Sequence, residues 1–258
     1  MIFNMVGGAK VNKLPVYTYT GQSAFTDEGD GNWTLELLSS GTLTYSKLAP
    51  EVDAFLVGGG GAGAYGFSGG GGGGRTNTVT LVLDNNTSYV VEIGAGGVGG
   101  TTATEQAGSG GSTSITVDEN ILAYAAGGDG GYPNGLNSRH GGDGGSGGGS
   151  GGTATVNAGI GGADGSDGEG STPGNGQGTT TKAFGDGKLY ATGGAGGDGM
   201  ANVKENPLGG GKGGGSGTNV GTAGADNTGD GGGGGGIEKA GHDGGSGIII
   251  LRNRRGAQ

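Results

Sequence analysis

The sequence predicts an all-β protein in which a small antiparallel β-sandwich flanks a lattice of polyglycine II helices, with essentially no α-helix. Three observations lead to this prediction. Glycine accounts for 77 of the 258 residues, and only 30% of the residues are apolar, whereas ordinary globular domains are roughly 45 to 50% apolar. The apolar residues are concentrated in short stretches with strand patterns. Glycine recurs at every third position through many of the remaining stretches.

The first part of the chain has the pattern of short antiparallel strands, because alternating, β-branched and aromatic residues favour strands over helices. The pattern covers residues 16–20, 33–38, 41–45 and 52–57. We therefore predict a β-strand region over residues 13–57, preceded by an attachment segment at residues 1–12. Trp33, Tyr45 and Phe55 are expected to lie in the core of the sandwich.

Residues 58–258 are predicted to form a glycine-rich domain. Strand pairs are predicted over residues 78–93 and 114–124, because each range holds two strand patterns joined by Asp and Asn residues that favour turns. The apolar run within residues 248–252 predicts a closing strand that is buried on both faces and returns to the sandwich. Polyglycine II tracts are predicted between residues 127 and 247.

Three interpretations of the glycine tracts compete. Their composition fits a flexible linker or a disordered segment. Collagen is disfavoured, because the chain has 5 prolines and its triplet frame resets between tracts. The third interpretation is a bundle of polyglycine II helices that are hydrogen-bonded to one another through their backbones. It is favoured because the three-residue period matches the polyproline II helix and because the tracts are short, interrupted by turn-like inserts and bracketed by strands. Because only glycine lets backbones approach on all sides, a valine at Gly144 is expected to destabilise such a bundle.

The motifs for catalysis are absent, and we predict that the protein is not an enzyme. Gly61, Gly63 and Gly66 follow a strand in the spacing of a dinucleotide fingerprint, but more glycine stands where that site needs a helix. The chain has no cysteine, and no serine lies in a nucleophile-elbow context. His140 and His242 are the two histidines, and both are expected to be loop residues. No cofactor is predicted.

Calcium is an alternative for the aspartates of the glycine tracts, because repeated β-rolls bind calcium through Gly-Gly-x-Gly-x-Asp units. The aspartates in question are Asp129, Asp143, Asp164, Asp167, Asp198 and Asp243. Those units also need an apolar residue after the Asp, whereas Gly168, Gly199 and Gly244 occupy such positions. Solvated aspartates at turns are the favoured interpretation.

Charge and hydropathy disfavour two further classes of protein. The formal net charge is -10, so a nucleic-acid backbone would be repelled over most of the surface, and no nucleic-acid partner is expected. No stretch approaches the roughly 20 apolar residues that cross a bilayer, so no membrane insertion is expected. The first residues also lack the pattern of a signal peptide. A protein of this kind that acts outside its cell is expected to leave by lysis or within an assembly.

Aromatic and polar residues beside the glycine tracts are the candidates for receptor contact, since large amphipathic rings on rigidly held loops suit the recognition of sugars or protein surfaces. The candidates are Tyr65, Phe67, Tyr132, Asn134, Arg139, His140, Phe184 and Tyr190. The alternative is that these rings only cap the glycine lattice.

Several segments resemble one family. The opening Met1-Ile-Phe-Asn-Met-Val-Gly-Gly, the passage Val52-Asp-Ala-Phe-Leu-Val followed by four glycines, and the close Gly244-Gly-Ser-Gly-Ile-Ile-Ile-Leu-Arg are similar to glycine-rich domain proteins encoded beside tail genes in phages and prophages of Gram-positive gut bacteria. Such domains also occur in an animal receptor tyrosine kinase ectodomain. Polyglycine II sandwiches form the tip adhesins of some tailed phages of enteric bacteria.

The resemblance implies a virion tail protein, an adhesin of the tail tip or tail fibre that presents loops to a glycan or protein of the host surface. A purely structural virion or tail-spike module without receptor binding is the alternative. Other tail or baseplate proteins are the partners expected for residues 1–12. Tail adhesins are commonly trimers, and oligomerisation would cover exposed sheet edges, so a homo-oligomer is expected.

Overall fold

The computed structural model describes residues 14–29, 31–47, 51–133, 139–152, 159–160, 166–169, 172, 187–198, 203, 205–206, 209–215 and 220–253. Within these residues the protein is all-β, as predicted, and contains no helix. The strands are β1 (Val16–Tyr19), β2 (Ser23–Gly29), β3 (Asn32–Leu37), β4 (Gly41–Lys47), β5 (Glu51–Val57), β6 (Thr76–Val82), β7 (Ser88–Glu92), β8 (Thr113–Val117), β9 (Asn120–Ala125) and β10 (Ile248–Asn253).

The strands form two antiparallel sheets that pack face to face. The first sheet has the order β1-β4-β7-β8-β9 and the second the order β2-β3-β10-β5-β6. Alternate residues of β3 are buried, so that Trp33, Leu35 and Leu37 enter the core between the sheets. Tyr45 lies in the same core and is fully buried. The prediction of a core position for Trp33 and Tyr45 is confirmed.

The closing strand β10 lies between β3 and β5 at the centre of the second sheet. Ile249 and Leu251 pack into the core between the sheets, whereas Ile248 and Ile250 pack on the other face of the sheet. This confirms that the apolar run forms a strand buried on both faces. Phe55 also lies on that other face, within the cluster of Ile248 and Ile250, and not between the sheets as predicted.

One predicted strand pair requires correction, and one strand was not predicted. Residues 78–83 and 89–93 were expected to pair with each other, but β6 pairs with β5 and β7 pairs with β4 and β8, in opposite sheets. The chain between them crosses from one sheet to the other. By contrast β8 and β9 do form the predicted antiparallel pair. The edge strand β2 was not predicted, since all of its residues are exposed and it has no apolar alternation.

The predicted division at residue 58 does not divide the sheets. Each sheet contains strands from residues 13–57 and strands from residues 58–258. The boundary is therefore a change in composition within one sandwich.

Residues 58–64 show how the glycine tracts are held. Their N–H groups donate to three different segments in turn. Gly58, Gly61 and Ala64 donate to carbonyls of residues 69–75 at 2.8 to 3.0 Å. The intervening residues donate to segments 108–111 and 242–245, again with a step of three residues.

The carbonyl groups of the same segment accept from three further segments, which are residues 97–100, 128–131 and 232–235. Three neighbours accept from segment 58–64 and three donate to it, so this thread lies at the centre of a bundle. Segment 69–75 likewise forms backbone hydrogen bonds with neighbouring segments on all sides. The repeat of three residues equals that of the polyproline II helix; the assignment of the tracts as polyglycine II helices stays a prediction.

The glycine tracts within the described residues are thus ordered by backbone hydrogen bonds, and the linker interpretation does not apply to them. A Cβ atom on Gly144 would lie 2.1 Å from the carbonyl oxygen of Gly73, which agrees with the expected effect of a side chain there. Ordering a residue costs about 1 to 2 kcal/mol and a net hydrogen bond returns about 0.5 to 1.5 kcal/mol. Such a bundle is near balance by itself, so the strands that bracket its threads are needed to hold it.

Candidate binding surface

The threads of the bundle leave the sandwich in one direction. Segments 58–64, 94–100 and 126–132 follow directly on strands β5, β7 and β9. These threads run parallel to one another. For example, Gly97 donates to Gly60 and Gly100 donates to Gly63, so the residue numbers increase in the same direction along both threads. Their far ends therefore lie together. We call this end, formed by residues 65–68, 100–106, 132–133, 139–140, 151–152 and 236–239, the distal face.

The turn at residues 65–68 lies at the centre of the distal face, because it joins the two threads that have neighbours on all sides. Tyr65 and Phe67 are half-buried there. The Gly66 N–H donates to the Lys239 carbonyl at 2.8 Å, and the Phe67 N–H donates to the Gly236 carbonyl at 2.9 Å. The Ser68 hydroxyl donates to the carbonyl of Ala64. The turn is thus fixed by the neighbouring backbone.

A second pair of rings lies beside this turn. The Tyr132 and His140 rings are perpendicular, with centroids 6.0 Å apart. The Tyr132 N–H donates to the His140 carbonyl at 2.8 Å. The His140 Nδ1 lies 2.6 Å from the carbonyl oxygen of Gly141, and since a carbonyl oxygen only accepts, Nδ1 is the donor of this bond. Arg139 reaches over Phe67, with Cζ 4.0 Å from the ring centroid.

The structure therefore brings five of the candidate residues together on the distal face, namely Tyr65, Phe67, Tyr132, Arg139 and His140. Tyr190 lies elsewhere and is 1% exposed. Its ring packs edge-on against Phe55 at 5.4 Å, beneath the second sheet. It is a core residue and not a contact residue, because the chain returns to the sandwich there. Asn134 and Phe184 lie outside the described residues.

A family model described as a glycine-rich domain matches residues 38–254 of the sequence. The chain belongs to this glycine-rich domain family. The match includes the whole bundle and strands β4 to β10, whereas β1, β2 and β3 precede it. No curated protein matches the sequence. Among the described residues of this glycine-rich domain protein, no helix has the length and apolarity to span a membrane.

Two of the aspartates proposed for calcium accept hydrogen bonds from backbone N–H groups. Asp143 Oδ1 accepts from the Ile160 N–H and Asp243 Oδ1 from the Gly99 N–H, both at 2.7 Å. Asp129 and Asp167 are exposed, Asp198 is buried, and Asp164 lies outside the described residues. No group of three metal-ligating side chains occurs in the described part of the chain.

Burial lowers the pKa of His242, against the opposing effect of the Asp243 charge.

Sequence reasoning missed Asp230, which is 3% exposed where the bundle meets the sandwich. Its Oδ1 accepts from the Thr192 N–H at 2.9 Å. Burial raises the pKa of Asp230 to about 6, although hydrogen bonds from Thr192 and Thr228 and the charge of Lys188 lower it. Its neighbours in the sequence are glycines, so the sequence gives no sign that Asp230 is buried. The reason is that backbone, and not apolar side chains, covers it.

Proposed function

We propose that this glycine-rich domain protein is a virion tail protein of a phage, an adhesin whose distal face contacts a glycan or protein of the host surface. One observation carries the proposal. Tyr65, Phe67, Tyr132, Arg139 and His140 come from three segments of the chain and share the end of the bundle away from the sandwich. Aromatic and arginine side chains are the types that dominate binding contacts.

The construction of the bundle favours recognition, because it presents loops on a rigid scaffold. The turn at Tyr65 is bonded to the neighbouring thread through Gly66, so the loop loses little freedom when it binds. Such pre-organisation increases affinity without adding contact area. The half-buried rings also present an apolar side to solvent while their backbones are fixed.

The virion context is supported by the resemblance of the opening, of residues 52–57 and of the close of the chain to proteins encoded beside phage tail genes. Residues 1–12 precede β1 in the sequence and are proposed to attach to other tail or baseplate proteins. This arrangement leaves the distal face outward, since the threads run away from the strands that follow the attachment segment. A virion location and a homo-oligomer are parts of the same proposal.

The alternative is a structural virion module without receptor binding. The observation that favours it is that Tyr132 and His140 also contact one another and close the ends of two adjacent threads. In that role the rings would only cap the bundle.

Binding of the purified protein to a panel of whole Gram-positive gut bacteria and to their purified wall polysaccharide distinguishes the two functions. The double variant Tyr65→Ala and Tyr132→Ala tests the distal face. The matched control is Val90→Ala and Ile121→Ala, since these exposed residues lie on the first sheet. We expect wild type and the control to bind and the distal variant to lose binding. Binding to no member of the panel would favour the structural module.

A further inference from the structure

Three residues with a left-handed backbone meet on the distal face. Phe67, Arg139 and Gly152 have φ angles of 58°, 69° and 80°. The Arg139 guanidinium lies over the Phe67 ring, with Cζ 4.0 Å from the centroid. A Cβ atom on Gly152 would come within 2.8 Å of Phe67 Cζ and 2.9 Å of Arg139 Nη1. The Gly152 backbone therefore packs directly against both side chains. We call the pair of side chains of Phe67 and Arg139 the Phe67–Arg139 stack.

The left-handed region is unfavourable for phenylalanine and arginine, because Cβ comes too close to the following carbonyl oxygen. Asparagine or glycine adopts the same backbone at lower cost. Phe67 and Arg139 are both half-buried, so each keeps part of its side chain accessible to a partner. Strained residues of this kind persist where the surroundings hold them, and they concentrate at binding sites.

The surroundings of the stack do hold it. The Phe67 N–H donates to the carbonyl of Gly236 at 2.9 Å. The Arg139 carbonyl accepts from the Gly151 N–H at 3.0 Å, and the Gly152 N–H donates to the Gly197 carbonyl at 2.8 Å. Each of the three left-handed residues is thus fixed by the neighbouring backbone, and the two side chains are positioned in advance.

We infer that the Phe67–Arg139 stack is the anchor of the receptor contact, the pair that contributes most of the binding free energy. This inference rests on the proposed function. The stack lies at the centre of the distal face, and the residues that dominate interfaces are aromatic or arginine residues near the centre. Because the pair is already stacked in the free protein, little conformational entropy is lost when it binds.

Asparagine substitutions test the anchor without disturbing the backbone. Phe67→Asn and Arg139→Asn remove one member of the stack each and keep a residue that tolerates the left-handed region. The matched control is Glu238→Asn, since Glu238 is exposed on the same face and also left-handed, with a φ of 51°. Gly152→Ala keeps both side chains but places a methyl group against them. Binding to the same bacterial cells and the melting temperature are measured for all four variants.

We expect Phe67→Asn and Arg139→Asn to melt no lower than wild type and to bind at least about tenfold more weakly. Gly152→Ala should weaken binding, and Glu238→Asn should bind as wild type does. Wild-type affinity in both stack variants would overturn the anchor while the proposed function stands. A clear fall in their melting temperatures, or an equal loss of binding in Glu238→Asn, would also overturn it. If wild type binds no cells, the proposed function fails and the anchor fails with it.

Discussion

A Cβ atom on Gly71 would lie 2.0 Å from the carbonyl oxygen of Gly61. The two residues belong to the central threads of the bundle, and Gly61 donates its N–H to the next residue of the facing thread, Gly72, at 2.8 Å. The contact between these threads is therefore made of backbone alone. No side chain can be added at Gly71 unless the threads separate and their hydrogen bonds lengthen.

We expect Gly71→Ala to destabilise the protein by about 3 kcal/mol or more, because the obstructing atom is backbone and overpacking a rigid interior already costs about 1 to 3 kcal/mol. Denaturant unfolding of the purified variant measures the effect. The matched control is Ala62→Gly, a change of one methyl group in the opposite sense on the facing thread, which should cost about 1 kcal/mol. Equal losses in the two variants would contradict a bundle packed through glycine backbone.

Two buried tyrosines of the core should respond differently to the loss of their hydroxyl groups. Tyr89 Oη accepts from the Asp84 N–H at 2.6 Å, whereas Tyr45 Oη is buried with no hydrogen-bond partner among the described residues. We expect Tyr89→Phe to cost about 1 kcal/mol, because it leaves the Asp84 N–H unpaired. Tyr45→Phe should raise the stability by about 1 kcal/mol, because it removes an unsatisfied polar group. Denaturant unfolding of both variants measures the difference, and a loss in Tyr45→Phe would show that its hydroxyl is bonded.

Asp230 should make the stability depend on pH. Its folded pKa of about 6 lies above the ordinary value of 3.8, so the folded state holds the proton more tightly than the unfolded state. The protonated Asp230 carboxyl therefore stabilises the folded state below pH 4, and this stabilisation is lost as the pH rises through 6. The free energy of unfolding should fall by an amount on the order of 3 kcal/mol. We expect Asp230→Asn to remove this decline, since its amide oxygen still accepts from Thr192.

The measurement is the free energy of unfolding of wild type and Asp230→Asn at a series of pH values from 4 to 8. Asp129→Asn is the control, because Asp129 is exposed and its replacement should leave the decline in place. A decline of the same size in Asp230→Asn would assign the pH dependence to other groups.

Amide exchange should be slow in the centre of the bundle although it contains almost no side chains. Residues 70–74 are buried glycines, and each donates its N–H to a backbone carbonyl of another segment. We expect these amides to exchange far more slowly than those of the exposed residues 101–105. Hydrogen exchange followed by mass spectrometry measures the contrast. Labelling of residues 70–74 at the rate of an unstructured peptide would contradict the bundle.

Strand positions could be predicted from the sequence, because burial between two sheets produces an alternation that is visible in Trp33, Leu35 and Leu37. The double-sided burial of β10 was predictable for the same reason, from a continuous apolar run. Partner strands were not predictable, since the pairing of β6 with β5 depends on which edge is open after the sandwich has formed. The exposed strand β2 carries no apolar pattern and exists because β3 offers it an edge.

The candidate site was predictable as a set of residue types beside glycine tracts, and only in part as a location. Tyr65, Phe67 and Tyr132 stand beside glycine tracts in the sequence, and in the structure they lie at the ends of threads. Tyr190 carries the same local signal, but its ring packs on Phe55 in the core. The sequence has no marker for the end of the bundle at which a thread reverses.

The sequence by itself determined the all-β class, the strands with apolar alternation and the presence of a three-residue glycine repeat, because these are local properties of side chains. The tertiary structure alone decided which threads are neighbours, which aspartate is buried and which aromatic residues share a face. The physical reason is that the bundle is held by amide groups, which are the same at every glycine and therefore leave no trace of their partners in the order of the residues.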